Sequence, residues 1–206
     1  RLLLVTTDRQ SAFDVNFTSI PLKGQVLNQL SAWWFSQIED ILPTQVIANP
    51  DPNVAIVKDL KIFQIEVIVR AYLTGSSKTS AWTNYAAGVR DFCGHTLPEN
   101  MVKNEAFATA IVTPNTKGVD SDDPIDGAGI VEQGLATKEQ WQQMHDKALE
   151  IFARGQELAA SRGLILVDTK YEMGLDKEGN IVIADEVHTP DSSRFWIAES
   201  YQERFD

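Results

Sequence analysis

The stretch Leu164-Ile165-Leu166-Val167-Asp168-Thr169-Lys170-Tyr171-Glu172-Met173-Gly174-Leu175 decides the fold. Successive side chains of a strand point to opposite faces. Asp168, Lys170 and Glu172 therefore share one face, and Thr169, Tyr171 and Met173 share the other. The turn Asp176-Lys177-Glu178-Gly179-Asn180 and a second apolar run, Ile181–Val187, follow at once, so the segment reads as a β-hairpin. With a four-residue loop, Lys177–Asn180, Glu172 falls opposite Asp185. Directly opposed like charges destabilise a hairpin, and a divalent cation bound between them reverses the sign. Mg²⁺ takes one or two carboxylates together with substrate phosphates, so the pair is a candidate metal site. A five-residue loop breaks that pairing. On spacing alone the charged face reads more simply as the solvated side of an antiparallel sheet.

Working outward, Leu2–Thr7 reads as a buried strand and Asp8–Gly24 as an ordered loop. Leu27, Leu30, Trp34, Ile38 and Ile41 recur at helical spacing, which predicts an amphipathic helix ending near Pro43. Asn49–Asn53 reads as a turn. Ile62–Arg70 reads as a strand, with Phe63, Ile65, Val67 and Val69 on one face and Gln64, Glu66, Ile68 and Arg70 on the other. Ala71–Glu105 predicts irregular structure with a short helix, Phe107–Thr113 a strand, and Pro114–Gly134 a long loop. Thr137 with Gln140 forms a capping box. It opens a long helix that stops at Gly163 and spans roughly 39 Å at 1.5 Å per residue.

Two further groups offer anion-binding chemistry. Arg70 ends a strand and is followed by Thr74-Gly75-Ser76, which supplies a guanidinium, hydroxyls and backbone N–H groups suited to phosphate or carboxylate. An ordinary turn beside an exposed arginine is the plainer reading. Thr189-Pro190-Asp191-Ser192-Ser193-Arg194 repeats that vocabulary directly after the acidic hairpin. His95, His145 and His188 lie in unrelated contexts, Cys93 has no patterned partner, and His145, the thiol and the five tryptophans read as structural.

Composition narrows the function classes. The 206 residues carry 18 Lys and Arg against 29 Asp and Glu, a net charge of −11, which disfavours a nucleic-acid partner. Apolar residues at 43% support a core. A single cysteine can form neither an internal disulfide nor a zinc cage. No apolar run approaches the ~18 residues of a membrane span, and a cytoplasmic setting is expected.

These blocks resemble the phosphoribosylaminoimidazole-succinocarboxamide synthase, or SAICAR synthetase, family. Asp8-Arg9-Gln10-Ser11-Ala12-Phe13-Asp14, Ile20-Pro21-Leu22-Lys23-Gly24 with Val26-Leu27-Asn28-Gln29-Leu30, and Glu66–Arg70 with Thr74-Gly75-Ser76 are similar to its motifs. So are Leu166–Gly174 and Asp185-Glu186 through Trp196. The blocks run in family order along nearly the whole chain. The resemblance implies an α+β, two-lobed fold like that of ATP-grasp enzymes and protein kinases, with antiparallel sheets and flanking helices. Residues 1–69 would form an N-terminal lobe, and residues 70–206 a C-terminal lobe with the substrate and metal site. It implies an ATP- and Mg²⁺-dependent ligase that joins carboxyaminoimidazole ribonucleotide (CAIR) to L-aspartate through an acyl phosphate. A homo-oligomer is compatible with it.

By the same resemblance Glu172 and Asp185 would hold Mg²⁺ and ATP, with Glu66 on the nucleotide side. Arg70, Ser76, Ser193 and Arg194 would grip the imidazole nucleotide, and the loops of Lys23 and Ser11 would line the substrate side. Asp168 and Lys170 would orient the substrate, with Asp168 the candidate base for the aspartate amine. The chain opens without Met on a strand-like run, and the resemblance places a glycine-rich ATP-covering loop before Arg1 and a helical segment after Asp206. Departures from the family pattern are Gln64 for Pro, Ala71 for Gly, Met173 for Phe, and Ser121-Asp122 for a His-Asp pair. Two other readings compete: an inactive homologue that only binds nucleotide, and a kinase-like phosphotransferase that needs no aspartate.

Overall fold

A computed structural model describes residues 1–12, 15–118 and 122–205. The chain begins with β1 (Leu2–Val5), the hairpin β2 (Arg9–Ala12) and β3 (Val15–Ser19), and helix α1 (Lys23–Ser36). Next come β4 (Val46–Asp51), β5 (Val54–Val57), β6 (Lys61–Ile62) and β7 (Ile65–Tyr72). A short helix α2 (Ala81–Ala86), the small hairpin β8 (Asp91–Phe92) and β9 (His95–Thr96), then β10 (Ala106–Val112) and β11 (Asn115–Thr116) follow. Helices α3 (Gly127–Glu132) and α4 (Lys138–Ala160) lead into β12 (Leu164–Leu175), β13 (Ile181–Ala184), β14 (Ser193–Ile197) and α5 (Ala198–Phe205).

β12 is the axis of the larger, seven-stranded sheet. It pairs antiparallel with β7 and β14 along its first half and with β13 and β6 at its end. β10 and β11 extend the sheet beyond β7. The apolar faces of β7 (Ile65, Val67, Val69) and β12 (Tyr171, Met173) are fully buried in one core with Met144, Ala148, Ile151 and Phe152 of α4. The long helix keeps its register through the expected capping box: the Gln140 N–H donates to Thr137 Oγ1 at 3.2 Å, and the Thr137 N–H to Gln140 Oε1 at 2.9 Å. It runs 23 residues, about 34 Å.

Gly155 of α4 lies directly against His188 of the polar strap between β13 and β14. A Cβ there would lie 2.2 Å from His188 Cε1 and 2.8 Å from Leu166 Cδ2. Alanine gains about 1 kcal/mol of helix propensity over glycine, but overpacking a filled core costs about 1–3 kcal/mol. Gly155→Ala is therefore expected to lower the urea midpoint. A raised midpoint would show that His188 has room to move.

Several sequence expectations are corrected. β1 is a strand, but it is not buried: it lies at the edge of the three-stranded sheet β1-β5-β4, and all four of its side chains are exposed. The segment read as a loop from Asp8 to Gly24 contains the hairpin β2–β3; Val15-Asn16-Phe17-Thr18 alternates, but over so short a run, and with every β3 side chain exposed, the signal is weak. Phe13, Asp14 and the altered-loop residue Ser121 lie outside the described residues. The turn read at Asn49–Asn53 shrinks, because β4 runs on through Asp51. The loop read at Pro114–Gly134 holds β11 and α3, the latter capped by Asp126 Oδ1 accepting from the Gly129 N–H at 2.7 Å. The second hairpin strand stops at Ala184, because Asp185 turns into the left-handed region (φ 60°).

Candidate active site

The site grows from the strand register. Asp168 pairs with Arg70 of β7 on one side and with Arg194 of β14 on the other. Three neighbouring strands thus set guanidinium, carboxylate and guanidinium in one row. Arg194 Nε donates to Asp168 Oδ1 at 2.7 Å and its Nη2 to Oδ2, while Arg70 Nη1 reaches Oδ2 at 3.4 Å. Arg70 is only 3% exposed. Its other nitrogens are satisfied by Thr113 Oγ1 at 2.8 Å and the Thr79 carbonyl at 3.2 Å. The exposed arginine of the plainer reading is therefore a buried and partnered one. Both Asp168 oxygens accept from guanidinium, an arrangement that holds two arginines in place.

Two residues along β12, Lys170 meets three carboxylates: Glu172 at 3.0 Å, Asp185 at 3.4 Å and Glu66 at 3.6 Å. Burial would lower its pKa, but Asp185, Glu172 and Glu66 outweigh that and hold it above the ordinary lysine range. Burial also pushes up the carboxyl pKa values of Glu66 and Asp185. Glu172 moves the other way: burial raises it, yet its contacts with Lys117 and Lys170 win and keep it low. Lys117 Nζ lies 2.5 Å from Glu172 Oε2.

The expected hairpin register is corrected here. The loop is Asp176–Asn180, five residues, because Leu175 pairs with Ile181; Glu172 then faces Ala184 and not Asp185. The turn is closed by Asp176 Oδ1, which accepts from the Asn180 N–H at 2.8 Å and the Glu178 N–H at 3.1 Å. Asp185 still joins Glu172, because both reach the Lys170 ammonium.

A cleft of about 340 Å³ takes in Glu66, Arg70, Asp168, Lys170, Ser193 and Arg194, while Asp185 borders a second one of about 260 Å³ together with Lys23. Thr169 and Ser193 share a hydroxyl hydrogen bond of 2.7 Å at its wall. Ser76 lies in an adjoining cleft of about 570 Å³ that Arg194 also borders. Gly75 between them (φ 102°) has no room for a side chain: a Cβ would sit 2.4 Å from Ser80 Cβ and 3.2 Å from Arg194 Nη1. Lys23 begins α1 and pairs with Asp191 at 2.5 Å, beside Asp185 and Glu186. Ser11 stands apart, on β2 beside Thr7, Arg9 and Asn16.

Sequence reasoning missed Lys117 and Thr113. Lys117 sits in a segment whose only local signal is a proline and polar residues, and Thr113 closes a run that reads only as a strand. The pairing of Asn115 with Glu66 and of Thr116 with Ile65 carries Lys117 to the site.

Among the described residues no cluster of three or more His, Cys, Asp or Glu could hold a metal by itself. The donor set of Glu172 and Asp185 is all hard oxygen, and it already converges on a cation, the Lys170 ammonium. That fits Mg²⁺ if phosphate oxygens complete its shell. Chemically, the row of arginines suits an anionic substrate, and the lysine–carboxylate cluster suits charge moving on a phosphoryl group. No helix among the described residues is long and apolar enough to cross a membrane.

The family model described as SAICAR synthetase matches residues 1–206. A phosphoribosylaminoimidazole-succinocarboxamide synthase of Legionella pneumophila (strain Paris) is 53% identical over 206 residues, covering 100% of this chain and 66% of the relative. A chloroplastic phosphoribosylaminoimidazole-succinocarboxamide synthase of Arabidopsis thaliana is 52% identical over 204 residues, covering 99% of this chain and 50% of its own length. Among solved structures, the SAICAR-synthase from Saccharomyces cerevisiae complexed with SAICAR superposes with a TM-score of 0.85 at 32% identity, covering 97% of this chain and 71% of that one. A SAICAR synthetase in complex with ADP gives a TM-score of 0.80 at 26% identity, covering 97% and 78%. The chain thus spans less than two thirds of the length of these curated relatives.

Proposed function

Because the chain belongs to the SAICAR synthetase family, we propose that it carries the substrate and phosphoryl-transfer site of an ATP-dependent ligase joining CAIR to L-aspartate. The products are SAICAR, ADP and phosphate, in de novo purine (IMP) biosynthesis. The observation that carries this reading is the Arg70–Asp168–Arg194 row beside the Lys170–Glu66–Glu172–Asp185 cluster. A carboxylate is a poor electrophile. The γ-phosphoryl group of ATP first converts the CAIR carboxylate to an acyl phosphate, the aspartate amine then attacks its carbonyl carbon, and phosphate leaves.

In this reading Arg70, Ser76, Ser193 and Arg194 hold the nucleotide's phosphate and carboxylate, and Asp168 fixes the two arginines. Lys170 reaches the transferred phosphoryl group. Glu172 and Asp185 hold Mg²⁺ with ATP, and Glu66 lies on the nucleotide side. Bound Mg²⁺ would neutralise phosphate charge as the phosphoryl group moves. Lys23 reaches the substrate side through its pair with Asp191, whereas Ser11, apart on β2, could join it only through its loop. Residues 1–69 form the N-terminal lobe and residues 70–206 the C-terminal lobe with the substrate and metal site, β7 (Ile65–Tyr72) crossing from one to the other. A cytoplasmic setting accompanies this role.

The test is aspartate-dependent ADP release from ATP and CAIR by the full-length protein. Glu172→Gln is expected to lower that turnover by about 10²–10³-fold while the protein stays folded. Absence of turnover in the wild type sinks the ligase. Near-normal turnover of the variant sinks the metal role of Glu172.

A further inference from the structure

We propose that the buried Tyr171–His188 hydrogen bond is a positioning device that locks the acidic strap of residues 185–194 onto the strand carrying Lys170 and Glu172. Its catalytic consequence rests on the ligase reading above; its structural consequence does not.

Tyr171 sits between Lys170 and Glu172 on β12 and points the opposite way, into the core. Its hydroxyl lies 2.5 Å from His188 Nε2, and both residues are fully buried. His188 belongs to the connection between β13 and β14, which starts at Asp185 and leads directly into Ser193 and Arg194, the first residues of β14. Two residues of this connection hold left-handed backbone without being glycine: Asp185 (φ 60°) and His188 (φ 51°). Such conformations cost of order 1 kcal/mol or more each and persist where the surroundings over-determine them.

The His188 ring supplies that determination. Trp34 of α1 meets it edge-on at 4.6 Å between centroids, and Gly155 of α4 is so close that any Cβ would clash with it. Among the described residues its one side-chain hydrogen bond is the one to Tyr171, and Nδ1 finds no partner. A buried imidazole with a single hydrogen bond is an expensive way to fill a core. What the arrangement provides is a fixed distance between the two halves of the site.

The experiment compares Tyr171→Phe with wild type in the full-length protein by amide hydrogen exchange and by steady-state kinetics at 25 °C. Phenylalanine keeps the ring and removes only the hydroxyl. Positioning predicts exchange at residues 186–194 faster by about tenfold or more, with exchange in α4 unchanged. It also predicts kcat lower by about tenfold or more, with KM for ATP within about threefold of wild type. Exchange raised uniformly, or unchanged in the strap, overturns the proposal, as does a wild-type kcat. Should Tyr171→Phe not fold, the same exchange comparison on His188→Gln decides, with the same outcomes. If wild type itself shows no aspartate-dependent turnover, the ligase reading fails and the exchange measurement alone decides the lock.

Discussion

Asp168→Ala is expected to lower the unfolding free energy by about 3–5 kcal/mol, the largest stability loss of any single change in the site. The argument turns on Arg70, not on Asp168. Arg70 is 3% exposed and cannot give up its proton in compensation. Removing Asp168 leaves a guanidinium whose remaining partners, Thr113 Oγ1 and the Thr79 carbonyl, are neutral. Arg194 suffers less, because its side chain is 44% exposed and water can replace the carboxylate. Urea unfolding at pH 7 measures the loss. Replacing Arg70 by Met in the same protein should recover part of it, since a missing buried pair costs less than a broken one. A loss below about 1 kcal/mol would show that water reaches Arg70 and that the row is not a buried ion pair.

Lys170→Met is expected to cut aspartate-dependent turnover by about 10²–10³-fold. Three carboxylates, Glu66, Glu172 and Asp185, lie within 3.6 Å of this one ammonium. Without it they repel one another, and among the described residues Lys117, in contact with Glu172 and at longer range from Glu66 and Asp185, is left to offset them. The pH dependence has a definite sign. Burial raises the carboxyl pKa values of Glu66 and Asp185, and Lys170 holds that rise in check; on Glu172 its pull helps to lower the pKa outright. Removing the lysine lets all three groups keep their protons to higher pH. The acidic limb of the pH–rate profile should therefore move upward in pH. Turnover within threefold of wild type and an unmoved acidic limb would remove Lys170 from the mechanism.

How far the site was legible follows the range of each interaction. Asp168, Lys170 and Glu172 could be placed on one face because strand alternation is a local, two-residue rule, and the capping box of α4 rests on contacts three residues apart. The pairing of Glu172 with Asp185 was misjudged by one loop residue. A slip of one residue turns every side chain to the other face, and the hairpin's five-residue turn is set by Asp176 accepting from two backbone N–H groups. Asp185 returned to the cluster only because its backbone turns left-handed and Lys170 reaches it. Lys117 and Thr113 were invisible because strand pairing with β7, across some fifty residues of chain, brings their segment in.

The secondary-structure plan of β7, α4 and the β12–β13 hairpin, the family, and the residue types available for anion chemistry can all be read from the chain alone. All of these depend on periodicity, capping and motif order, which are written along the chain. Which charges neighbour which is a product of strand pairing between distant segments. The row Arg70–Asp168–Arg194 exists because three strands far apart in sequence are in register, and the strap is held by a Tyr171–His188 contact made inside the core. Burial then set the energies: the same arginine that reads as an exposed turn residue in the sequence is, in the folded sheet, a desolvated charge that one carboxylate must balance.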